Sequence, residues 1–275
     1  MRRRFVMSQP ENNKPVALTI AGLDPSGSAG VIADIRTFTT LGCLSTAAIT
    51  SLTFQNDVRV WGAEHVSPET LRAQVLPIVN EHSVAGAKTG MLPTREIVHA
   101  IAGLFRETKL PAPVVDPILR STSGYALIEA GALEALLAEL LPLARIITPN
   151  IPEAEQITGL SIVDEAGMRR AAKMIRELGA RAVLIKGGHL QRQEAGGRRQ
   201  PAAKPASSSQ AIDVLDDEGT VTVLRGSWIE ADNVRGTGCM LSAAIAACLA
   251  KGMKLEIAVA AAKRFVSDAI SRSAA

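Results

Sequence analysis

Short apolar runs alternate along the chain with longer stretches whose apolar residues recur at helical spacing. Val16 to Ala21 is brief and apolar and runs into Gly22-Leu23-Asp24-Pro25, the pattern of a strand ending in a loop. Ala33 to Leu41 reads as a helix stopped by Gly42, and residues 45 to 53 read as a strand. Pro68 to Asn80 reads as a helix with Ser67 as N-cap and Glu69 in its first turn. Val84 to Lys88 and Val114-Val115-Asp116 read as short buried strands. Residues 127 to 141 place Leu133, Leu136, Leu137, Leu140 and Leu141 on one stripe, which predicts a single helix. Arg145 to Thr148 and Ala182 to Ile185 read as strands, and Pro152 onward and 166 to 178 as helices. Residues 211 to 215 and 220 to 224 flank Asp216-Asp217-Glu218-Gly219, a hairpin pattern. Two Ala-rich helices are predicted over 239 to 250 and 255 to 271.

Strands alternating with helices predict an α/β fold, a mainly parallel sheet covered on both faces. No linker divides the pattern, so one domain is expected over 14 to 275. Residues 8 to 14 are polar, and residues 1 to 13, with their basic start, read as a loose tail. Segment 191 to 210, QRQEAGGRRQPAAKPASSSQ, has the composition of a disordered surface insertion. In parallel sheets ligands bind outside the carboxyl ends of the strands, so functional residues should cluster there.

Composition narrows the function. The 275 residues carry 30 basic and 27 acidic side chains, a net +3, too small to point to nucleic acid or a membrane surface. The three cysteines lack metal spacing and are too few and odd for a disulfide framework, which fits a reducing compartment. With no long apolar run, a cytoplasmic protein is expected.

Four stretches that follow predicted strands or open a helix carry candidate chemistry. Arg235-Gly236-Thr237-Gly238-Cys239 precedes a helix, where close backbone approach and the helix N-terminus suit an anion hole; a plain glycine turn is the bland alternative. Gly22 to Gly30 is glycine-rich but has no Walker A lysine, and no dinucleotide fingerprint is present. Asp116, and Asn150 with Glu153, supply acids of the kind that hold Mg²⁺, or simply helix caps. Lys186 of Lys186-Gly187-Gly188-His189 is placed to meet phosphates, whereas His189 alone reads as structural. Together they suit Mg²⁺-dependent phosphoryl transfer.

The motif order resembles the ribokinase-like vitamin kinases, above all the hydroxymethylpyrimidine/phosphomethylpyrimidine kinases of thiamine synthesis. The matching stretches are ALTIAGLDPSGSAGVIADIRTF, AITSLTFQND, AKTGML, VVDPILRSTSG, ITPNIPEAEQITG, VLIKGGHL and RGTGCMLSAAIAACLAKG. The resemblance implies a homodimer that moves the γ-phosphate of ATP, with Mg²⁺, to 4-amino-5-hydroxymethyl-2-methylpyrimidine and then to its monophosphate. It implies that Ala21, Gly22, Asp34, Gln55 and Met91 meet the pyrimidine. Asp116, Asn150 and Glu153 would position Mg²⁺ and phosphates, Lys186 the nucleotide, and Gly236, Thr237 and Gly238 the anion hole. Cys239 stands where related sugar kinases carry an Asp base. The helix N-terminus should lower its pKa, making it the base, or it only shapes the hole. Arg235 stands where the family usually has His, and Ile32 where it often has Gln. Alternatives are a pyridoxal kinase and a catalytically silent pyrimidine-binding protein.

Overall fold

The computed structural model describes residues 14–121, 124–187, 210–227 and 235–274. The predicted tail, His189 and nearly all of the predicted insertion lie outside the described residues.

The chain runs β1 (Val16–Leu23), α1 (Gly30–Thr40), β2 (Leu44–Gln55), β3 (Val60–His65), α2 (Pro68–Glu81), β4 (Val84–Thr89), α3 (Arg95–Glu107), β5 (Val114–Val115), α4 (Ala132–Ala135), β6 (Ile146–Ile147), α5 (Ile151–Thr158), α6 (Glu165–Glu177), β7 (Ala182–Lys186), β8 (Gln210–Asp217), β9 (Thr220–Ser227), α7 (Thr237–Ala250) and α8 (Leu255–Ala274). These strands form one sheet in the order β3-β2-β1-β4-β5-β6-β7-β8-β9. The middle, from β2 to β7, is parallel. Antiparallel strands finish both edges: β3 on β2, and the β8–β9 hairpin on β7.

Alternation along the central strands builds two cores. Val16, Leu18, Ile20, Val115, Ile147, Val183 and Ile185 pack with residues of α2, α3, α5 and α6 on one face. Ala17, Val114, Ile146, Ala182 and Leu184 point the other way, toward Phe38, α7 and α8. Helix α7 is buried nearly all round, as a helix apolar on every side should be. Its alanines let the backbone approach the sheet closely: a Cβ on Gly86 would come 2.8 Å from the Ala250 Cβ. Burial of each large aliphatic side chain here contributes about 1.5–3 kcal/mol, and the core needs few aromatics.

Helix α2 starts at Pro68 with the Ser67 hydroxyl accepting from the Thr70 N–H, as the sequence predicts. The single helix predicted over 127 to 141 is not what forms. The α-helical part is Ala132–Ala135, followed by a wide π-type turn at Leu136–Leu140 and a 3₁₀ turn at Leu141–Leu143. Pro142 has no N–H to continue an α-helix and crowds the preceding turn, which gives the ladder reason to change pitch there. Upstream, residues 126 to 129 are spent on tertiary bonds instead. The Leu127 N–H donates to the Leu119 carbonyl (3.0 Å) and the Glu129 N–H to that of Pro93 (2.8 Å). Strand β3 and helix α3 are additional to the sequence reading.

Candidate active site

The carboxyl ends of β1, β2, β4, β5, β6 and β7 open on one side of the sheet, and the predicted site residues lie at or just beyond them or at the α7 N-terminus, except Asp34, which lies within α1. The loop after β1 is shaped by Asp24, whose buried carboxylate accepts from the Ser26 N–H (2.8 Å), the Ser26 hydroxyl (2.7 Å) and the Ala29 N–H (3.0 Å). This folds 24 to 30 back over the strand end so tightly that a Cβ on Gly30 would collide with the Gly22 carbonyl oxygen.

The GTG turn rests on this loop. Gly236 has φ +73°, and a side chain there would run into the Ser28 carbonyl oxygen. Gly238 lies beside Lys186, its would-be Cβ 3.3 Å from the Lys186 Nζ. The anion-hole candidates Gly236, Thr237 and Gly238 and the nucleotide candidate Lys186 therefore share one place. Two bonds join the turn and the β1 loop to the β2–β3 connection: Arg235 donates to the Asn56 carbonyl (2.8 Å) and the Ser28 hydroxyl donates to Asp57 (2.8 Å). Arg235 is thus tied to the β2–β3 connection.

Asp116 is the hub of the acidic side. Its buried carboxylate accepts from Lys186 Nζ (3.1 Å), the Ser242 hydroxyl (3.1 Å) and the Thr148 hydroxyl (3.4 Å). Burial alone would raise its pKa, but the Lys186 and Lys88 ammonium groups outweigh that and hold it below the usual carboxylate range. Lys186 is kept charged in turn: burial opposes the charge, and Asp116 and Glu153 restore it. Glu153 behaves differently. Its enclosure, only partly offset by Lys186, and the nearby Asp116 push its carboxyl up to about 7. It forms a capping box with Asn150, accepting from the Asn150 N–H (2.8 Å) while Asn150 Oδ1 accepts from the Glu153 N–H (2.8 Å). The Asn150 Oδ1 is therefore occupied as the N-cap acceptor of α5.

Among the described residues no three acidic, His or Cys side chains gather into a cation cage. Asp116 and Glu153 form a two-carboxylate set, which fits an ion held mainly by phosphate oxygens and water.

On the acceptor side, Gly22 lies against Met91, with room for no more than a tight Cβ 3.1 Å from the Met91 sulfur. Met91 also lines a small cleft with Ala63, His65 and residues 125 to 129. Gln55 is half-buried at the end of β2, and the Ala21 side chain is buried, leaving its main chain for contact.

Two expectations change. Asp34 does not present itself to a ligand. It is fully enclosed, its Oδ2 accepting from Thr19 (2.6 Å) and from the equally enclosed Lys88 (2.7 Å). Cys239 does not have a lowered pKa. Burial pushes its thiol up to about 11, Asp116 and Asp34 add to the rise, and Lys88 and the Gly30 N–H only partly oppose it. The helix N-terminus is outweighed by desolvation. Lys88, Thr148 and Ser242 were not singled out by the sequence. Lys88 was the detectable one, a lysine inside an apolar strand.

No helix among the described residues is long and apolar enough to cross a membrane. A family model described as phosphomethylpyrimidine kinase matches residues 24–275. A hydroxymethylpyrimidine/phosphomethylpyrimidine kinase of Rhizobium meliloti is 45% identical over 258 residues, spanning 93% of this chain and 90% of its own. The solved phosphomethylpyrimidine kinase of Clostridium difficile superposes with TM-score 0.78 at 35% identity, covering 94% of this chain and 100% of its own. A Bacillus subtilis pyridoxal kinase solved with ADP gives TM-score 0.79 at 35% identity, covering 93% and 91%. With a ribokinase-like sheet, a glycine turn beside the half-buried Lys186, and a family match over nearly its whole length, this chain is a kinase of the phosphomethylpyrimidine kinase family.

Proposed function

We propose that this kinase phosphorylates the hydroxymethyl group of 4-amino-5-hydroxymethyl-2-methylpyrimidine, then the resulting monophosphate, with ATP as donor. The observation that carries the reading is the meeting of Gly238, Lys186 and Asp116 at one point, with Cys239 next in the chain.

Successive N–H groups of Gly236, Thr237 and Gly238, at the positive end of α7, receive the negative charge that grows on the transferring phosphoryl group. Lys186 adds a point charge on the same side. The main chain at Ala21 and Gly22 and the Gln55 amide read the edge of the pyrimidine, and Met91 packs against its ring. Asp116 and Glu153 would hold Mg²⁺, which when bound supplies positive charge to the phosphates. In the first transfer the acceptor oxygen forms its bond to the γ-phosphorus as the bond to the ADP oxygen breaks, and Cys239, as the thiolate left after its own proton has gone to solvent, takes the hydroxyl proton on Sγ.

A pyridoxal kinase remains the second reading, because the Bacillus subtilis pyridoxal kinase is as similar in fold and identity as the Clostridium difficile pyrimidine kinase. ATP consumption with Mg²⁺ should be followed with hydroxymethylpyrimidine, its monophosphate and pyridoxal offered separately, and products identified by mass. Turnover of both pyrimidines is expected; turnover of pyridoxal alone would reverse the assignment.

The working unit is a homodimer. The exposed Leu52 and Phe54 on one face of the edge hairpin, with Val58 and Trp61 nearby, are the apolar surface that supports this reading.

A further inference from the structure

Strand β7 parts from β8 at the residue that faces the GTG turn. Lys186 and Asp213 form the last pair of the two strands, although β8 extends beyond it to Gln210 and pairs there with β9. The next N–H along, that of Gly187, donates to the Asp213 side chain, at Oδ1 (2.9 Å). A Cβ on Gly187 would collide with the Ile212 carbonyl oxygen, so the chain passes this point only as glycine. The other Asp213 oxygen, Oδ2, is held by Lys263 Nζ of α8 (2.6 Å). Lys263 also donates to the Leu224 carbonyl of β9 (3.5 Å). A ladder that simply continued would satisfy the Gly187 N–H without any side chain. An enclosed ion pair adds little net stability over apolar packing, so stability alone does not account for this one.

The residue that the junction fixes is Lys186. Its own N–H donates to the Pro149 carbonyl (2.9 Å) on the β6 side. The peptide that follows is gripped on the β8 side by Asp213. Between two fixed peptides the lysine side chain leaves toward Asp116 Oδ1 (3.1 Å) and Gly238. Resting on the reading of Lys186 as the cation that meets the nucleotide phosphates, we infer that Asp213, braced by Lys263, is a positioning residue of phosphoryl transfer. It sets the turn after β7 so that the Lys186 ammonium is held at the GTG turn before the nucleotide arrives. Asp213 itself touches no substrate.

The test is the affinity for AMP-PCP with Mg²⁺, measured by calorimetry without an acceptor, so that the identity of the acceptor does not enter. Asp213→Ala should bind about tenfold more weakly, the scale of one lost hydrogen bond to a charged group. Asp213→Asn keeps an acceptor for the Gly187 N–H and should recover most of that loss. Lys186→Met should also bind more weakly, and adding Asp213→Ala to it should cost little further, because no ammonium is left to position. Losses that multiply in the double variant would overturn the inference. In turnover, Asp213→Ala should raise KM for ATP about tenfold and leave KM for the pyrimidine unchanged. A merely structural role would shrink the active fraction, lowering kcat and the melting temperature with both KM values unmoved, and that result would also overturn it. Where Asp213→Ala does not fold, Lys263→Met takes its place in the same cycle. It should weaken AMP-PCP binding about threefold, within what a partly exposed ion pair contributes, and no further beside Lys186→Met; wild-type affinity would overturn the inference. Wild-type affinity in Lys186→Met would reject the reading of Lys186, and the inference with it. Wild-type affinity in Asp213→Ala beside a weakened Lys186→Met would reject the inference alone.

Discussion

Glu153 shows how one side chain couples stability to chemistry. In the folded chain it keeps its proton up to about pH 7, whereas an ordinary Glu loses it near 4.5. Between those values the native state holds the extra proton, so this group's contribution to stability falls as pH rises and is constant above about 7. At about 1.4 kcal/mol per pKa unit, the loss is on the order of 3 kcal/mol. Glu153→Gln removes the charge but keeps an acceptor for the Asn150 N–H. Its melting temperature should exceed that of wild type at pH 8 and match it near pH 4, while Mg²⁺-dependent turnover drops. Equal melting at pH 8 would show that Glu153 bears no such penalty. Cys239 makes the complementary case. With a thiol titrating near 11, catalysis through the thiolate should gain about tenfold per pH unit from 6 to 9. A flat profile in that range would leave Cys239 only a shaping role. Cys239→Ser should lower kcat by about 10²-fold.

At the scale of elements, the site depends on three connections held together: the β1 loop, the β2–β3 connection and the GTG turn. The contact of Gly236 with the Ser28 carbonyl is the tightest joint. Gly236→Ala adds a methyl where the backbone is left-handed and that oxygen already sits. Turnover should nearly vanish while far-UV circular dichroism stays native, since the core clusters lie elsewhere. Preserved kcat would mean that the turn can shift without harm. Arg235→Gln loses a bond to a carbonyl at the rim and should cost less than Gly236→Ala in the same assay. The element that sequence periodicity misjudged, the predicted helix over 127 to 141, teaches the same point. Leucine spacing is indifferent to Pro142 and to the loop bonds of Leu127 and Glu129, which together decide where the helix begins and how it winds.

Across the whole molecule, the hairpin edge leaves Phe54 and Trp61 about half exposed, at 52% each. Phe54→Glu should halve the mass seen by light scattering if this surface joins two copies, and a monomeric wild type would remove the premise. The order of strands and helices was legible in the chain because burial on both faces writes near-continuous apolar runs, and helices write a 3.6-residue period. That the GTG turn, Asp116 and Lys186 would meet was legible because each follows a predicted strand or opens a helix, and the carboxyl ends of parallel strands lie on one face. Helix α3 and strand β3 escaped notice, although α3 has capping signals at Thr94 and Glu96. What the chain could not declare is which charges would be sealed away. Asp34 sits in a family motif and Lys88 in an apolar strand, 54 positions apart, and only the packing of α1 on β4 makes them partners. Local spacing determines which residues reach the active face. The direction of a pKa depends on how much water the completed fold excludes and which distant charges it brings near, and that is why Cys239 reads as a low-pKa thiol in the sequence and is a high-pKa one in the structure.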